Sequence, residues 1–207
     1  MKRFDNQFKT QLNNSVSDIE NNSVAEIVVI VKARSSNYQE YALWFGFIFM
    51  VVVYSFFMFS PFDFDVFFIY FFTITLFLLA SGLSSAFPFL MQWLITKKAR
   101  LKNTEIYARA IFQKGGIMNT KQRIGVLFFV SLFEKQVFIL PDKGAMIAIP
   151  DTEWQEMHKS FMTIFSESDV AGSLITQLDK IKPLFSKYLP SVENDINELP
   201  DDLSVEL

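Results

Sequence analysis

The sequence predicts an α/β fold: a small central sheet with flanking helices, split by a two-helix transmembrane hairpin. Three observations carry this. Fifteen of the 25 Phe lie between Phe45 and Phe89. All 19 Lys and Arg lie outside residues 41–96, where Asp63 and Asp65 are the only charges. Three short runs of β-branched and aromatic residues, at 25–33, 125–132 and 136–140, lie on either side of that window among helical patterns.

Taken in order, Phe8, Leu12, Val16 and Ile19 fall at i, i+4, i+8 and i+11. Residues 4–20 therefore read as a helix with one apolar stripe, stopped by Asn21, Asn22 and Ser23. Residues 25–33 (AEIVVIVKA) read as a buried strand. Residues 41–59 are 19 in a row without a charge, about 28 Å as a helix, which matches the hydrocarbon thickness of a bilayer. Ser60, Pro61, Asp63 and Asp65 interrupt the run. Residues 66–95 form the second apolar stretch, too long for an upright helix. A tilt, a kink near Pro88 or an interfacial segment at Gln92 and Trp93 is expected. Aromatic residues on every face of both stretches argue against core helices of a soluble protein.

Lys32 and Arg34 precede the hairpin, Lys97, Lys98, Arg100 and Lys102 follow it, and its loop has no basic residue. The positive-inside rule then places both flanks and both termini in the cytoplasm, with Asp63 and Asp65 outside. No cleavable signal peptide is expected in the polar first forty residues.

After the hairpin, Asn103 or Thr104 should cap a helix running to about Gln113 and stopped by Gly115 and Gly116. Strands 125–132 and 136–140 should pair antiparallel across a turn at Glu134 and Lys135. Pro141-Asp142-Lys143-Gly144 should close them as a turn, with Gly144 at positive φ. Two helices should follow. The first, capped by Asp151 or Thr152, buries Trp154, Met157, Phe161 and Phe165; the second, over 170–188, carries Leu174, Leu178, Ile181 and Phe185 and bends at Pro183. Residues 191–207 hold six carboxylates and no basic residue, the pattern of a disordered acidic tail. The domains are then 1–40, the N-terminal part of a soluble α/β domain; 41–96, the two transmembrane helices; 97–190, the C-terminal part of that domain; and 191–207, the tail. Neither soluble part has strands enough to bury a core. Strand 25–33 should therefore lie parallel to 125–132.

Three stretches, AEIVVIVKARS (25–35), RIGVLFFVSLFEKQVFILPDKG (123–144) and NELPD (197–201), occur in this order, with the apolar hairpin between the first two. Together they resemble membrane-anchored bacterial proteins of the TPM domain family, which includes photosystem-repair factors of the thylakoid lumen. The resemblance implies a TPM-like α/β sandwich and a setting in membrane assembly or repair, with LemA-type membrane proteins as partners in some bacteria. It also implies acid phosphatase activity or calcium binding, as proposed for some relatives. Many relatives hold the domain outside the cytoplasm. The charge pattern here places it inside, on the bacterial inner (plasma) membrane.

The chemistry is narrowed by what is missing. A net charge of −3 and a pI near 5.3 give no sign of nucleic-acid binding. With no Cys there is no disulfide, thiol nucleophile or thiolate metal site. The one histidine, His158, stands between solvated neighbours, and no G-x-S-x-G elbow presents a serine. No EF-hand, P-loop or G-x-G-x-x-G pattern occurs. A divalent cation would have to use carboxylates, of which Asp142 is the best placed, with Glu26 or Asp151 beside it; a plain turn residue is the competing reading of Asp142. Residues 97–123 carry eight basic residues against Glu105 alone. Lys97, Lys98, Arg100 and Lys102 there read either as a patch for anionic lipid or as topology determinants on a solvated helix. Ser81, Gly82, Ser84 and Ser85 suit close helix packing, inside the hairpin or in a homo-oligomer. Two spans without an intramembrane charge do not make a transporter. The expected function is a non-enzymatic, membrane-anchored binding or assembly and quality-control factor without a cofactor; the alternative is a carboxylate-metal phosphatase.

Overall fold

The computed structural model describes residues 4–120, 122–192 and 205–206. Along the chain run α1 (Asn6–Asn21), β1 (Glu26–Lys32), α2 (Gln39–Phe59), α3 (Val66–Ala86), α4 (Pro88–Leu94) and α5 (Lys97–Lys114). There follow β2 (Gly125–Ser131), β3 (Gln136–Pro141), α6 (Lys143–Ala148), α7 (Asp151–Met162), α8 (Val170–Tyr188) and the two-residue β4 (Val205–Glu206). The chain divides into two units, residues 1–35 with 101–207, and residues 36–100.

The first unit is built on a sheet of order β3-β2-β1-β4. β1 runs parallel to β2, with Val29 opposite Phe128 and Val31 opposite Val130. β2 and β3 form an antiparallel hairpin in which Val130 faces Val137. Successive side chains of a strand point to opposite faces, so each run fills two cores. On one face Val29, Val31, Val126, Phe128 and Val130 are buried with Leu12 of α1, Phe161 of α7, and Leu178 and Phe185 of α8. The Phe128 and Phe161 rings meet at 5.1 Å. On the other face Ile30, Leu127 and Phe129 pack with Ala108 of α5 and Ile117. Burial on both faces is why β1 and β2 read as unbroken apolar runs.

α1 starts where the Asp5 carboxylate accepts the Phe8 N–H at 2.9 Å. Its stripe of Phe8, Leu12, Val16 and Ile19 is buried. α8 runs its full length with Pro183 inside it.

Four expectations are corrected. α5 begins at Lys97, so Asn103 and Thr104 lie within it. The Thr96 hydroxyl accepts the Ala99 N–H at 3.2 Å, and nothing between 97 and 103 breaks a helix. Pro141-Asp142-Lys143-Gly144 is a helix start, with Asp142 as the cap of α6. α7 has Pro150 at its N-cap with no side-chain bond, which places Asp151 in the first turn, where a carboxylate favours the helix dipole. Within the expected tail, Val205 and Glu206 pair in parallel with Val31 and Lys32, because the outer edge of β1 offers unpaired backbone groups there. The rest of that tail, 193–204 and 207, lies outside the described residues.

In the second unit, α2 and α3 are 21 residues each and both long and apolar enough to cross a membrane. They pack side by side at Gly46, where a Cβ would come within 3.0 Å of the Phe77 carbonyl oxygen and of Ser81 Cβ. Only a side chain of hydrogen lets the helices approach so closely. Asp65 caps α3, its Oδ1 accepting the Phe67 and Phe68 N–H groups at 2.9 and 3.1 Å. The second apolar stretch does break, at Phe87: its backbone is extended, and Pro88 opens α4 as a separate helix.

Candidate functional site

The strongest sequence candidate, Asp142, sits at the end of β3 and is 4% exposed. Its backbone N–H donates to the Gly125 carbonyl at 2.8 Å. Its Oδ1 accepts the Lys143 N–H at 2.7 Å, which starts α6. Its Oδ2 is buried and has no hydrogen-bond partner among the described residues. The start of α6 lies hard against the loop before β2. The Gly144 N–H donates to the Arg123 carbonyl at 2.7 Å. A Cβ on Gly144 would lie 2.4 Å from the Gln122 oxygen and 2.7 Å from that of Arg123. Gly144 is therefore required for close approach. It is not among the residues at positive φ, which corrects the expected turn geometry.

Glu26 is also buried, at the start of β1 opposite Gly125. Glu26 and Asp142 thus flank Gly125 at the same end of the sheet, about 10 Å apart in backbone by two strand spacings. Asp151 is exposed at the start of α7 and is a helix-end carboxylate. Among the described residues no group of three or more His, Asp or Glu side chains is placed to hold a metal ion. Calcium takes six to eight oxygens, and a magnesium site needs near-octahedral geometry. The orphaned Oδ2 of Asp142 is a single ligand, so these residues do not fit a protein-built cation site.

The opposite end of the sheet, where the parallel strands finish, is the usual place for a ligand in an open α/β fold. Here it is filled from within. Ser131 Oγ donates to Glu134 Oε2, Ser35 Oγ donates to Ser131 Oγ at 2.7 Å, and the Ser35 N–H donates to Glu134 Oε1 at 3.0 Å. Glu134 is 1% exposed. Beyond turning the chain beside Lys135, its carboxylate ties the exit of β1 to the β2–β3 turn. The Ser spaced three residues before it, on a buried strand, is the one signal in the sequence that points to this contact.

His158 is exposed on α7, and its Nε2 faces the Val137 carbonyl at 3.0 Å. A carbonyl only accepts, so this contact keeps the ring proton on Nε2 and binds α7 to the edge strand β3. Beside it a groove of about 370 Å³ is lined by Ile139, Pro141, Met146, Asp151, Trp154 and His158, among others. It holds no serine, threonine or cysteine to serve as a nucleophile. Lys97, Lys98 and Lys102 are exposed and Arg100 is half-buried.

On the far side of the unit, α1 and α8 are joined by polar contacts. Asp179 accepts from Ser15 Oγ at 2.9 Å and pairs with Lys182 at 2.8 Å, and Lys182 also reaches Asp18 at 2.8 Å. Burial pushes the Asp179 carboxyl up, but the hydrogen bonds from Lys182 and Ser15 and the lysine charge outweigh it and hold it below the ordinary value. The hydrogen bond to Asp179, with that to Asp18, raises Lys182.

One family model covers part of this arrangement, from the hairpin's end through β2, β3, α6, α7 and most of α8. Residues 92–183 match the TPM domain family. The TPM match includes 123–144, one of the stretches that carry the resemblance. It leaves out 25–35 and 197–201, and so excludes β1, which shares the sheet. The whole chain is also similar in fold to the BA42 protein of the psychrophilic bacterium Bizionia argentinensis sp. nov., solved by NMR. The TM-score is 0.58 at 19% identity, over 96% of this chain and 92% of that one. The fold is thus α/β and TPM-like. No curated protein matches the chain.

Proposed function

We propose that the chain is a membrane-anchored, TPM-like module that binds another membrane protein and assists its assembly or quality control, without catalysis of its own. In this reading residues 36–100 cross the inner membrane of a bacterium twice. Residues 1–35 and 101–192 stand in the cytoplasm, where the basic residues flanking the hairpin hold them. The observation that carries the proposal is the Ser35–Ser131–Glu134 network. It fills, with the chain's own side chains, the end of the parallel strands where an open α/β fold usually takes its ligand. The family resemblance adds LemA-type membrane proteins as the first partners to examine.

Two measurements test the reading. Reporter fusions at residues 1 and 207 should give a cytoplasmic signal and a fusion at Asp63 an external one; the reverse pattern removes the cytoplasmic assignment. Crosslinking followed by gentle solubilisation should recover a membrane-protein partner in defined ratio, and a chain that always runs alone counts against the binding role. The second reading is a carboxylate-metal phosphatase, for which the buried, unpartnered Oδ2 of Asp142 would be one ligand among the several a metal needs. Phosphatase turnover that copurifies with the wild type and vanishes in Asp142→Asn would establish it over the first.

A further inference from the structure

Within the 36–100 unit, indoles and exposed ammonium groups gather at one end. α4 is a separate seven-residue helix, set off from α3 by the extended backbone of Phe87 and the ring of Pro88. Met91 is its one buried side chain. Phe89 and Trp93, four residues apart and so on one face, are 78% and 76% exposed. Lys97 and Lys98 follow, both exposed. α2 begins at this same end and presents Trp44, also exposed, with Glu40 as its acidic residue. The loop at the other end, residues 60–65, has two aspartates and neither a tryptophan nor a basic residue. A helix so short and apolar on its outer face does not cross a bilayer, and water is a poor solvent for Phe89 and Trp93 together. An indole is at home among lipid headgroups, and a lysine a turn further along extends its stem toward the phosphate level. The charged groups of the unit at this end are Glu40, Lys97, Lys98 and the half-buried Arg100, a cationic excess.

We propose that α4 lies in the membrane interface and that Lys97 and Lys98 select anionic phospholipid headgroups over zwitterionic ones. This rests on the reading of α2 and α3 as membrane spans. Each lysine near a charged leaflet strengthens association roughly fivefold, so the pair should give roughly a 25-fold preference. The test reconstitutes the full chain into phosphatidylcholine vesicles that carry a tenth of either brominated phosphatidylglycerol or brominated phosphatidylcholine. The difference in tryptophan quenching between wild type and Trp93→Phe isolates Trp93. Stronger quenching of Trp93 by the brominated anionic lipid, abolished in Lys97→Gln/Lys98→Gln, supports the proposal. Equal quenching by the two lipids overturns the selection while leaving the spans intact, since quenching itself reports insertion. Preference retained in the double variant overturns the role of these lysines. No quenching by either lipid, with protein that does not float with the vesicles, overturns the spans and the proposal together.

Discussion

Replacing Val29 and Val31 with aspartate should unfold a segment that begins seventy residues later in the chain. Both valines are 0% exposed and lie opposite Phe128 and Val130. Losing each buried isopropyl group removes about 1.5–3 kcal/mol of hydrophobic stabilisation. An uncompensated buried carboxylate adds a penalty of several kcal/mol apiece. If both carboxyls protonate instead, each still buries polar groups without partners, at about 1–3 kcal/mol. The double substitution therefore costs on the order of 10 kcal/mol, comparable with the whole stability of an ordinary domain, about 5–15 kcal/mol. Limited proteolysis of the detergent-solubilised full chain, with fragments identified by mass, reads the outcome. Residues 101–192 should be protected in the wild type and in Lys180→Asp, an exposed position on α8, and digested in Val29→Asp/Val31→Asp. Protection that survives the double substitution would mean that 101–192 folds without β1, and the argument for one sheet assembled from both sides of the hairpin would fail.

Gly144→Ala forces a Cβ to within 2.4 Å of the Gln122 oxygen; the backbone shift it requires should cost about 1–3 kcal/mol, read as a lower midpoint in chemical denaturation, and an unchanged midpoint would show that the 122–123 loop yields freely. Asp142→Ala removes the α6 cap and should cost about 1 kcal/mol, measured the same way. Asp179 titrates below its ordinary 3.8 in the folded chain, so its contribution is fully present above that value and is lost as pH falls through the folded pKa. Lys182 titrates above 10.5, so its contribution is present below that and lost as pH rises through its folded pKa. The stability difference between wild type and Asp179→Asn should accordingly be flat between about pH 5 and pH 9 and shrink in stronger acid; a difference that grows with acidity contradicts the α1–α8 pairing.

The fold was legible wherever one periodicity dominated. Phe8, Leu12, Val16 and Ile19 define α1, and the runs AEIVVIVKA and GVLFFVSL define two strands buried on both faces, whose parallel pairing follows because neither part has another partner. Helix ends were harder. Thr96 caps α5, but the cluster Lys97–Lys102 hides that start, because a solvated basic run looks the same as helix or coil. α6 was missed for a different reason: a Pro-Asp-x-Gly sequence fits a tight turn, and only the approach of the Arg123 carbonyl makes Gly144 part of a helix. Of the candidate site residues, Asp142 and Glu26 flank Gly125, whereas Asp151 is an exposed helix-end carboxylate that lines the groove with Pro141 and Met146. Glu134 was hard to read because its burial depends largely on Ser35, 99 residues away and on the other side of the hairpin, and Ser131 is its one local signal. Local sequence reports solvent only where the neighbours in space are also neighbours in the chain.

That separation has a kinetic consequence. Glu26 pairs with Gly125, 99 positions later, which at about 5–20 residues per second takes roughly 5–20 s to synthesise. Through that interval β1 has left the ribosome with α1 alone to cover one face. Its six residues from Glu26 to Val31, five of them β-branched, make an exposed strand prone to pair with any edge it meets. The chain adds a transmembrane hairpin before the partner strand, so sheet closure should wait until β2 is complete. Chains translated in the presence of membrane vesicles and ending at residue 120 carry α1, β1, the hairpin and α5 but neither β2 nor β3. In these, residues 1–35 should be cut by added protease. In chains ending at residue 192 the same residues should be protected, because β2 covers one edge of β1 over all seven positions whereas β4 reaches two. Protection already present at residue 120 would show that something other than β2 shelters β1. Protection still absent at residue 192 would assign that role to the short C-terminal strand, and deletion of residues 205–207 from the full chain would then unfold the sheet.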